Sequence, residues 1–174
     1  AQVSANRINE VLDTEITISD SKDAEVLERK DNTVVFNDVS FKYPGAEDNV
    51  LEHISFTAEP GKTTAIIGST GSGKSTLINL IPRFYDVSEG SITVGGKDIR
   101  NVSIESLRDL IGYVPQKAVL FSGTIASNLR YGRSDATDDE IIEAAQISQS
   151  EEFIEGKKAK YDTHISQGGT NVSG

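Results

Sequence analysis

The sequence predicts an α/β layer fold, in which helices flank a β-sheet. Three observations predict this class. Short β-rich runs alternate with helical apolar stripes through most of the 174 residues. A glycine-rich loop at residues 68–76 stands between one such run and one such stripe. The composition, with 36% hydrophobic and 25% charged residues, is that of a globular chain able to bury a core.

The first 32 residues are predicted to precede the compact domain. Apolar residues recur at three- and four-residue steps from Ala1 to Leu12, which predicts a short amphipathic helix. Residues 19–32 are polar and mostly charged, so we interpret them as a linker or surface loop. The domain itself is therefore expected to span residues 33–174.

Two antiparallel-type strands are predicted before residue 61. The first covers residues 34–41 and is stopped by Pro44-Gly45. The second covers residues 54–58, where apolar and polar residues alternate. Residues 63–67 form a β-rich run without alternation, which is typical of a strand buried on both faces.

The remaining elements alternate in type. Ser103 to Ser106 has the form of a capping box and opens a short helix. The other predicted elements are helices near 77–81, 124–129 and 138–146 and strands at 91–96 and 111–114, with a tight turn at Gly95-Gly96.

Composition excludes several classes of protein. The chain has 27 acidic and 17 basic residues and a formal net charge of −10, so we expect no nucleic-acid partner, which would require a basic surface. It has no Cys, which removes disulfides and thiol chemistry and is compatible with a reducing cytosol. The longest apolar run is four residues, whereas a membrane-spanning helix needs roughly 18 or more.

Charge is distributed unevenly along the chain. Residues 61–85 contain three basic residues and no acid, so we expect an anion to bind there. Residues 134–155 contain eight acids and no base, which indicates a solvated helical face.

The loop at 68–76 fits the pattern G-x-x-x-x-G-K-[ST], with a predicted strand before it and a predicted helix after it. Its glycines bring backbone N–H groups close to phosphate oxygens, and the helix adds its positive N-terminal end. Lys74 is expected to supply a cation for the β- and γ-phosphates, and the Ser75 hydroxyl to ligate Mg²⁺. The predicted phosphate-binding residues are Gly68, Ser69, Thr70, Gly71, Ser72, Gly73, Lys74, Ser75 and Thr76.

Together with three further segments, this loop resembles the nucleotide-binding domain of a multidrug-type ABC exporter from about residue 33 onward. Phe41-Lys42-Tyr43-Pro44 resembles the A-loop, and residues 68–76 the Walker A loop. Tyr113-Val114-Pro115-Gln116 and the segment 120–129 resemble the Q-loop region. Residues 168–174 resemble the approach to the L-S-G-G-Q signature motif, with Val172 in the Leu place.

The resemblance implies roles for individual residues. Tyr43 would stack on adenine, although a plain strand-end Tyr is the alternative. Gln116 would complete the Mg²⁺ shell and orient water, joining Lys74 as a catalytic group, or else is a polar loop residue. Ser173, in the signature motif, would contact ATP held by a second nucleotide-binding domain. ATP and Mg²⁺ are thus the expected cofactors.

The fold implied is a P-loop NTPase core with a parallel sheet and an added antiparallel β subdomain, truncated before the Walker B strand. The Walker B Asp and the Glu base of this family are not in the sequence, so we expect the chain alone to bind ATP without turnover. The parent would be an integral membrane transporter with this domain at the cytoplasmic face. Its partners would be the transmembrane domains and a second nucleotide-binding domain.

Three functions remain open on these grounds. The first is the ATP-binding half-site of an exporter, closing as a dimer to drive transport. The second is a different P-loop class, a GTPase or a small-molecule kinase, although the N-K-x-D motif that recognises guanine does not occur in the sequence. The third is a nucleotide-binding module without hydrolysis. Residues 167–171 resemble one subunit of heterodimeric exporters, in which one site is often impaired.

Overall fold

The computed structural model describes residues 2–117 and 119–172, with side chains from residue 5 onward. The chain divides into two compact units, Ala1–Tyr113 and Val114–Gly174. Within the described residues, no helix combines the length and the apolar character needed to cross a bilayer.

The first unit is built on an antiparallel sheet with the strand order β2-β1-β3-β4. Phe36 of the central strand pairs with Phe56 on one side and with Ile92 on the other. The antiparallel strands predicted before residue 61, and the strand and turn predicted at 91–96, are confirmed. The strands are β1 (Val34–Phe41), β2 (Leu51–Ala58), β3 (Glu89–Val94) and β4 (Lys97–Asp98).

The pairing of β1 with its neighbours is interrupted around Asp38. Asp38 and His53 both have left-handed backbones, with φ of 48° and 51°, and the His53 Nδ1 lies 2.9 Å from the Asp38 Oδ1. Gly90, opposite them in β3, has a φ of 78°, and a Cβ there would lie 2.3 Å from the Asp38 carbonyl oxygen. The irregularity therefore depends on glycine at position 90.

Three helices lie among the described residues of the first unit. Ser103 caps the last of them, accepting a hydrogen bond from the Ser106 backbone N–H at 3.3 Å. The predicted capping box is incomplete, because the Ser103 backbone N–H donates to the Glu25 carbonyl oxygen at 2.8 Å and not to the Ser106 side chain. The helix predicted near 77–81 begins earlier, at the end of the glycine-rich loop. The helices are α1 (Gln2–Leu12), α2 (Lys74–Leu80) and α3 (Ile104–Arg108). The core contains Phe36, Val39, Phe41, Leu77, Leu80, Ile92, Val102 and Leu107.

The segment predicted as a linker makes contacts with the first unit. Leu27 is 7% exposed and belongs to the core cluster, and its backbone N–H donates to the Ser106 Oγ at 2.9 Å. Glu25 forms an isolated parallel bridge with Val102. The domain boundary at residue 33 stays a prediction. Leu27 precedes this boundary in the sequence but belongs to the core of the first unit.

Two segments predicted as strands, residues 63–67 and 111–114, are not strands in the structure. Among the described residues, no strand pairs with either of them. The prediction that residues 63–67 are buried on both faces is also wrong, because Ile67 is 91% exposed. Val114 is 92% exposed. A segment forms a strand only where a neighbouring strand pairs with its backbone N–H and C=O groups. A β-rich composition does not supply that neighbouring strand.

The second unit is mainly helical. Thr124 and Thr137 cap its two predicted helices, each in a capping box. Hydrogen bonds from the Thr137 backbone and from Arg133 lower the pKa of Glu140 to about 2. The elements are β5 (Gly123–Thr124), α4 (Ile125–Leu129), α5 (Asp138–Ile147), α6 (Glu151–Glu155) and β6 (His164–Ile165). Strands β5 and β6 pair antiparallel. The core of this unit contains Ile125, Ala145, Ile154 and Ile165.

Candidate nucleotide-binding site

The glycine-rich loop lies against the start of β2. Gly71 and Gly73 have φ of 85° and 83°, the left-handed region that glycine adopts without strain. A Cβ on Gly73 would lie 2.8 Å from the Leu51 Cδ2 and 3.1 Å from the Val50 carbonyl oxygen. The loop therefore needs glycine at position 73 both for its backbone angle and for this close approach.

Lys74 folds back over the loop that precedes it. Its Nζ donates hydrogen bonds to the carbonyl oxygens of Gly68 at 2.9 Å and Ser69 at 2.6 Å, and to the Ser72 Oγ at 3.3 Å. The ammonium group is thus held at the loop rather than directed into solvent. In residues that the structure describes, no carboxylate lies within ion-pair distance of Lys74.

The other two cations of this basic stretch are already paired. Lys62 forms an exposed ion pair with Glu59. Arg83 is buried, and its Nε donates to the Asp86 Oδ1 at 2.7 Å. Of the three basic residues between positions 61 and 85, Lys74 is therefore the one whose charge is available to an anion.

A cavity of about 180 Å³ opens at the loop, lined by Val50 and by residues 71–76. Pockets that hold a whole small-molecule ligand have volumes of roughly 300–1,000 Å³. The cavity therefore fits the phosphate portion of a nucleotide. Ser75 is exposed at this cavity, whereas Thr76 is buried beneath it.

The residues at the loop fit Mg²⁺ bound together with a phosphate. Mg²⁺ usually keeps several waters and takes one or two protein oxygens together with substrate phosphates. Ser75 offers such an oxygen. Across residues 2–117 and 119–172, no group of three or more His, Cys, Asp or Glu side chains is arranged to hold a metal ion by itself.

Tyr43 lies close to the loop but is packed among other aromatic rings. Its hydroxyl is 2.9 Å from the Thr76 Oγ1. Its ring is edge-on to Phe41, with centroids 5.0 Å apart, and to Tyr85, with centroids 5.2 Å apart. These contacts give Tyr43 a structural role, and the stacking of adenine on its ring stays a prediction.

The structure describes one of the other two predicted site residues. Gln116 is exposed, in a segment without helix or strand. Ser173 lies outside the described residues. The structure therefore brings Tyr43 close to the loop through Thr76 and leaves the roles of Gln116 and Ser173 as predictions.

Sequence reasoning missed one residue that contributes to the site and one contact within it. Val50 lines the cavity, but its position at the start of β2 carries no motif. The partner of Tyr43 was also missed, because Thr76 is 33 residues away in sequence and only the fold brings them together.

A family model described as ABC transporter matches residues 51–174, so the chain belongs to the ABC transporter family. The resemblance to ABC exporter nucleotide-binding domains is thereby confirmed, and with it the P-loop NTPase fold class.

Relatives that cover nearly the whole chain are exporter proteins or their uncharacterized homologues. An uncharacterized ABC transporter ATP-binding protein of Bacillus subtilis is 43% identical over 174 residues, which are 100% of this chain and 30% of that protein. An ATP-dependent lipid A-core flippase of Desulfotalea psychrophila is 42% identical over 98% of this chain and 30% of its own length. A putative multidrug export ATP-binding/permease protein of Staphylococcus aureus is 40% identical over 95% of this chain and 28% of its own.

A solved structure of a bacterial Atm1-family ABC exporter with ATP bound has the same fold. It superposes with a TM-score of 0.90 at 36% identity, covering 99% of this chain and 30% of that one. The chain thus spans about 30% of the length of the curated relatives that it matches.

Proposed function

We propose that this chain is the ATP-binding domain of an ABC exporter and holds Mg-ATP at residues 68–76 to power transport. The proposal rests on Lys74. Its ammonium group has no carboxylate partner among the described residues and is held at the loop by hydrogen bonds. The cavity at this loop has the size of a phosphate chain. A cation so placed has an anion as its natural partner.

Backbone groups of the loop would make most of the phosphate contacts. Among the hydrogen bonds formed by the described residues, the N–H groups at 68–73 contribute one, from Ser72 to the Ser69 carbonyl oxygen at 3.3 Å. The remaining N–H groups are available as donors, and phosphate oxygens accept from such groups at little desolvation cost. Lys74 would then neutralise the β- and γ-phosphates, and Ser75 would ligate Mg²⁺.

Two further groups would complete the site once two such domains close on each other. Gln116 would contribute its amide oxygen to the Mg²⁺ shell and orient a water molecule. Ser173, in the signature motif of one domain, would contact ATP held by the other domain. Two ATP molecules would then lie at the dimer interface, and closure over them would drive the transport step.

The second unit would contact the transmembrane domains at the cytoplasmic face of the membrane. Phe121 and Tyr131 are stacked with their centroids 4.4 Å apart, and both rings are exposed. An exposed stacked aromatic pair is suited to a protein partner, since aromatic residues are enriched at interfaces. The transported substrate stays open.

A nucleotide-binding module without hydrolysis is the second candidate. It is favoured by the groups proposed for the site, because Lys74, Ser75 and Gln116 can hold the phosphates and Mg²⁺ but none of them is a carboxylate base. The two candidates differ in one assay. Steady phosphate release from Mg-ATP that Lys74→Ala abolishes would support hydrolysis by this chain, and binding without release would support the module.

The test of the shared proposal is an equilibrium titration of the chain with ATP, GTP and inorganic triphosphate in the presence of Mg²⁺. We expect all three to bind, with ATP the tightest, because the phosphates use the loop and adenine adds its own contact. Failure of all three to bind would contradict the proposal.

A further inference from the structure

One hydrogen bond connects the phosphate cavity to the predicted adenine platform. The Tyr43 hydroxyl and the Thr76 Oγ1 are 2.9 Å apart, and either can donate. Thr76 is 7% exposed and lines the cavity at the loop, while Tyr43 is half-buried. The same threonine therefore contacts both halves of the proposed nucleotide site.

The orientation of the Tyr43 ring is set by its neighbours. The ring is at 82° to Phe41 and at 90° to Tyr85, and Phe41 and Tyr85 contact each other with centroids 5.6 Å apart. Edge-on arrangements of this kind are favourable for aromatic pairs. The two rings restrain the tilt of Tyr43, and the hydrogen bond to Thr76 anchors its outer end.

We propose that Thr76 is a positioning residue that holds Tyr43 where its ring can meet the base of a nucleotide whose phosphates occupy the loop. The inference rests on the ATP site proposed above and adds a function for the Thr76 side chain. The Thr76 hydroxyl acts through Tyr43, so it changes the binding of the nucleoside and not the binding of the phosphates. Preorganising the ring in this way increases affinity because less conformational freedom is lost on binding.

The test is a pair of titrations of the 174-residue chain, one with Mg-ATP and one with inorganic triphosphate and Mg²⁺. The ratio of the two dissociation constants isolates the contribution of the nucleoside. Thr76→Val keeps the shape and the β-branch of the side chain and removes the hydroxyl. We expect the variant to raise the ratio of the ATP dissociation constant to the triphosphate dissociation constant by roughly threefold to tenfold, the size of one net hydrogen bond.

Two other variants separate positioning from general damage to the fold. Thr76→Ser keeps the hydroxyl and is expected to keep the wild-type ratio. Tyr43→Phe removes the same hydrogen bond from the other side, and the double variant is expected to be no worse than either single one. If Thr76→Val proves unfolded by circular dichroism, Tyr43→Phe measures the loss of the same bond in its place.

The outcomes distinguish this inference from the proposed function. Equal loss of ATP and triphosphate affinity in Thr76→Val would show that Thr76 contacts the phosphates directly and would overturn the positioning role. An unchanged ratio in both Thr76→Val and Tyr43→Phe would also overturn it while the ATP site stands. If the unaltered chain bound neither ligand, the proposed function would fail, and this inference with it.

Discussion

The antiparallel sheet and the segment leading into the glycine-rich loop are both β-rich in composition but differ in structure. In β1, Phe36 and Val39 are fully buried and the strand is paired on both sides. Residues 63–67 are equally β-rich, but they pair with no strand among the described residues and expose Ile67. Pairing partners, and not composition, therefore decide whether an apolar run becomes a strand.

The same difference suits the two regions to different tasks. The sheet uses its backbone N–H groups in ladders, and it supplies a fixed surface at Val50 and Leu51 against which Gly73 packs. The loop keeps most of its N–H groups out of such ladders, so they can bind phosphate. We therefore expect substitutions in the loop to change ligand affinity and those at its contact with β2 to change stability.

The largest effect is expected from Lys74→Ala, which should weaken binding of Mg-ATP by about 10- to 150-fold. This range corresponds to about 1.5–3 kcal/mol for a hydrogen bond to a charged group. Lys62→Ala is the matched control, because Lys62 lies in the same basic stretch but is paired with Glu59. Equal affinities in the Lys74 variant and the unaltered chain, measured by titration calorimetry, would refute the site.

Gly73→Ala is expected to lower the free energy of unfolding by about 1–3 kcal/mol, because alanine is strained at a φ of 83° and its Cβ would meet Leu51. Gly45→Ala serves as the control, since Gly45 has a φ of 80° but no atom within 4 Å of the added Cβ. Denaturant unfolding should show the larger loss in Gly73→Ala. Equal losses would mean that the contact between loop and β2 contributes nothing.

Tyr43→Ala is expected to weaken ATP and ADP alike, by about 1–3 kcal/mol for the lost stacking, and to leave inorganic triphosphate nearly unaffected. The control is Tyr113→Ala, because the Tyr113 hydroxyl also forms a side-chain hydrogen bond, donating to the Asn79 Oδ1 at 2.8 Å, and the ring is also edge-on to an aromatic ring. Should the Tyr43 variant lose triphosphate affinity to the same extent as ATP affinity, the adenine platform lies elsewhere.

The smallest effect concerns the irregular part of the sheet. A hydrogen bond to the Asp38 carboxylate, aided by the charges of Asp38, Glu89 and Glu52, raises the pKa of His53. Because the folded-state pKa lies above the unfolded value of about 6.5, this stabilisation is fully present below about pH 6.5 and is lost as the pH rises through the folded-state pKa. The pair is exposed, so its contribution is small and screened by salt.

Asp38→Asn tests this pH dependence without disturbing the backbone, since asparagine tolerates a positive φ. We expect the fall in unfolding free energy between pH 6 and pH 8.5 to be smaller in the variant than in the unaltered chain. Denaturant unfolding at the two pH values measures it. An identical fall in both proteins would assign the pH dependence to other groups.

Much of the fold and the core of the site could be predicted from the sequence because their signals are local. The strand pairs around residues 34–58, the cap at Ser103 and the glycine-rich loop each depend on residues close together in the chain. Residues 63–67 were mispredicted because burial of that run depends on neighbours that its own sequence does not specify. The contact between Tyr43 and Thr76 could not be predicted, because it forms between distant positions only after the sheet and α2 have packed.

The central claim is that residues 68–76 bind the phosphates of ATP while the antiparallel sheet stays unchanged. Amide hydrogen exchange, with and without saturating Mg-ATP, tests this claim most directly because it reports on both regions in one sample. We predict that, without ligand, β1 exchanges slowly and residues 63–73 exchange rapidly, and that Mg-ATP slows exchange at 68–76 while leaving β1 unaltered. Loop amides that exchange at the same rate with and without Mg-ATP would contradict the claim.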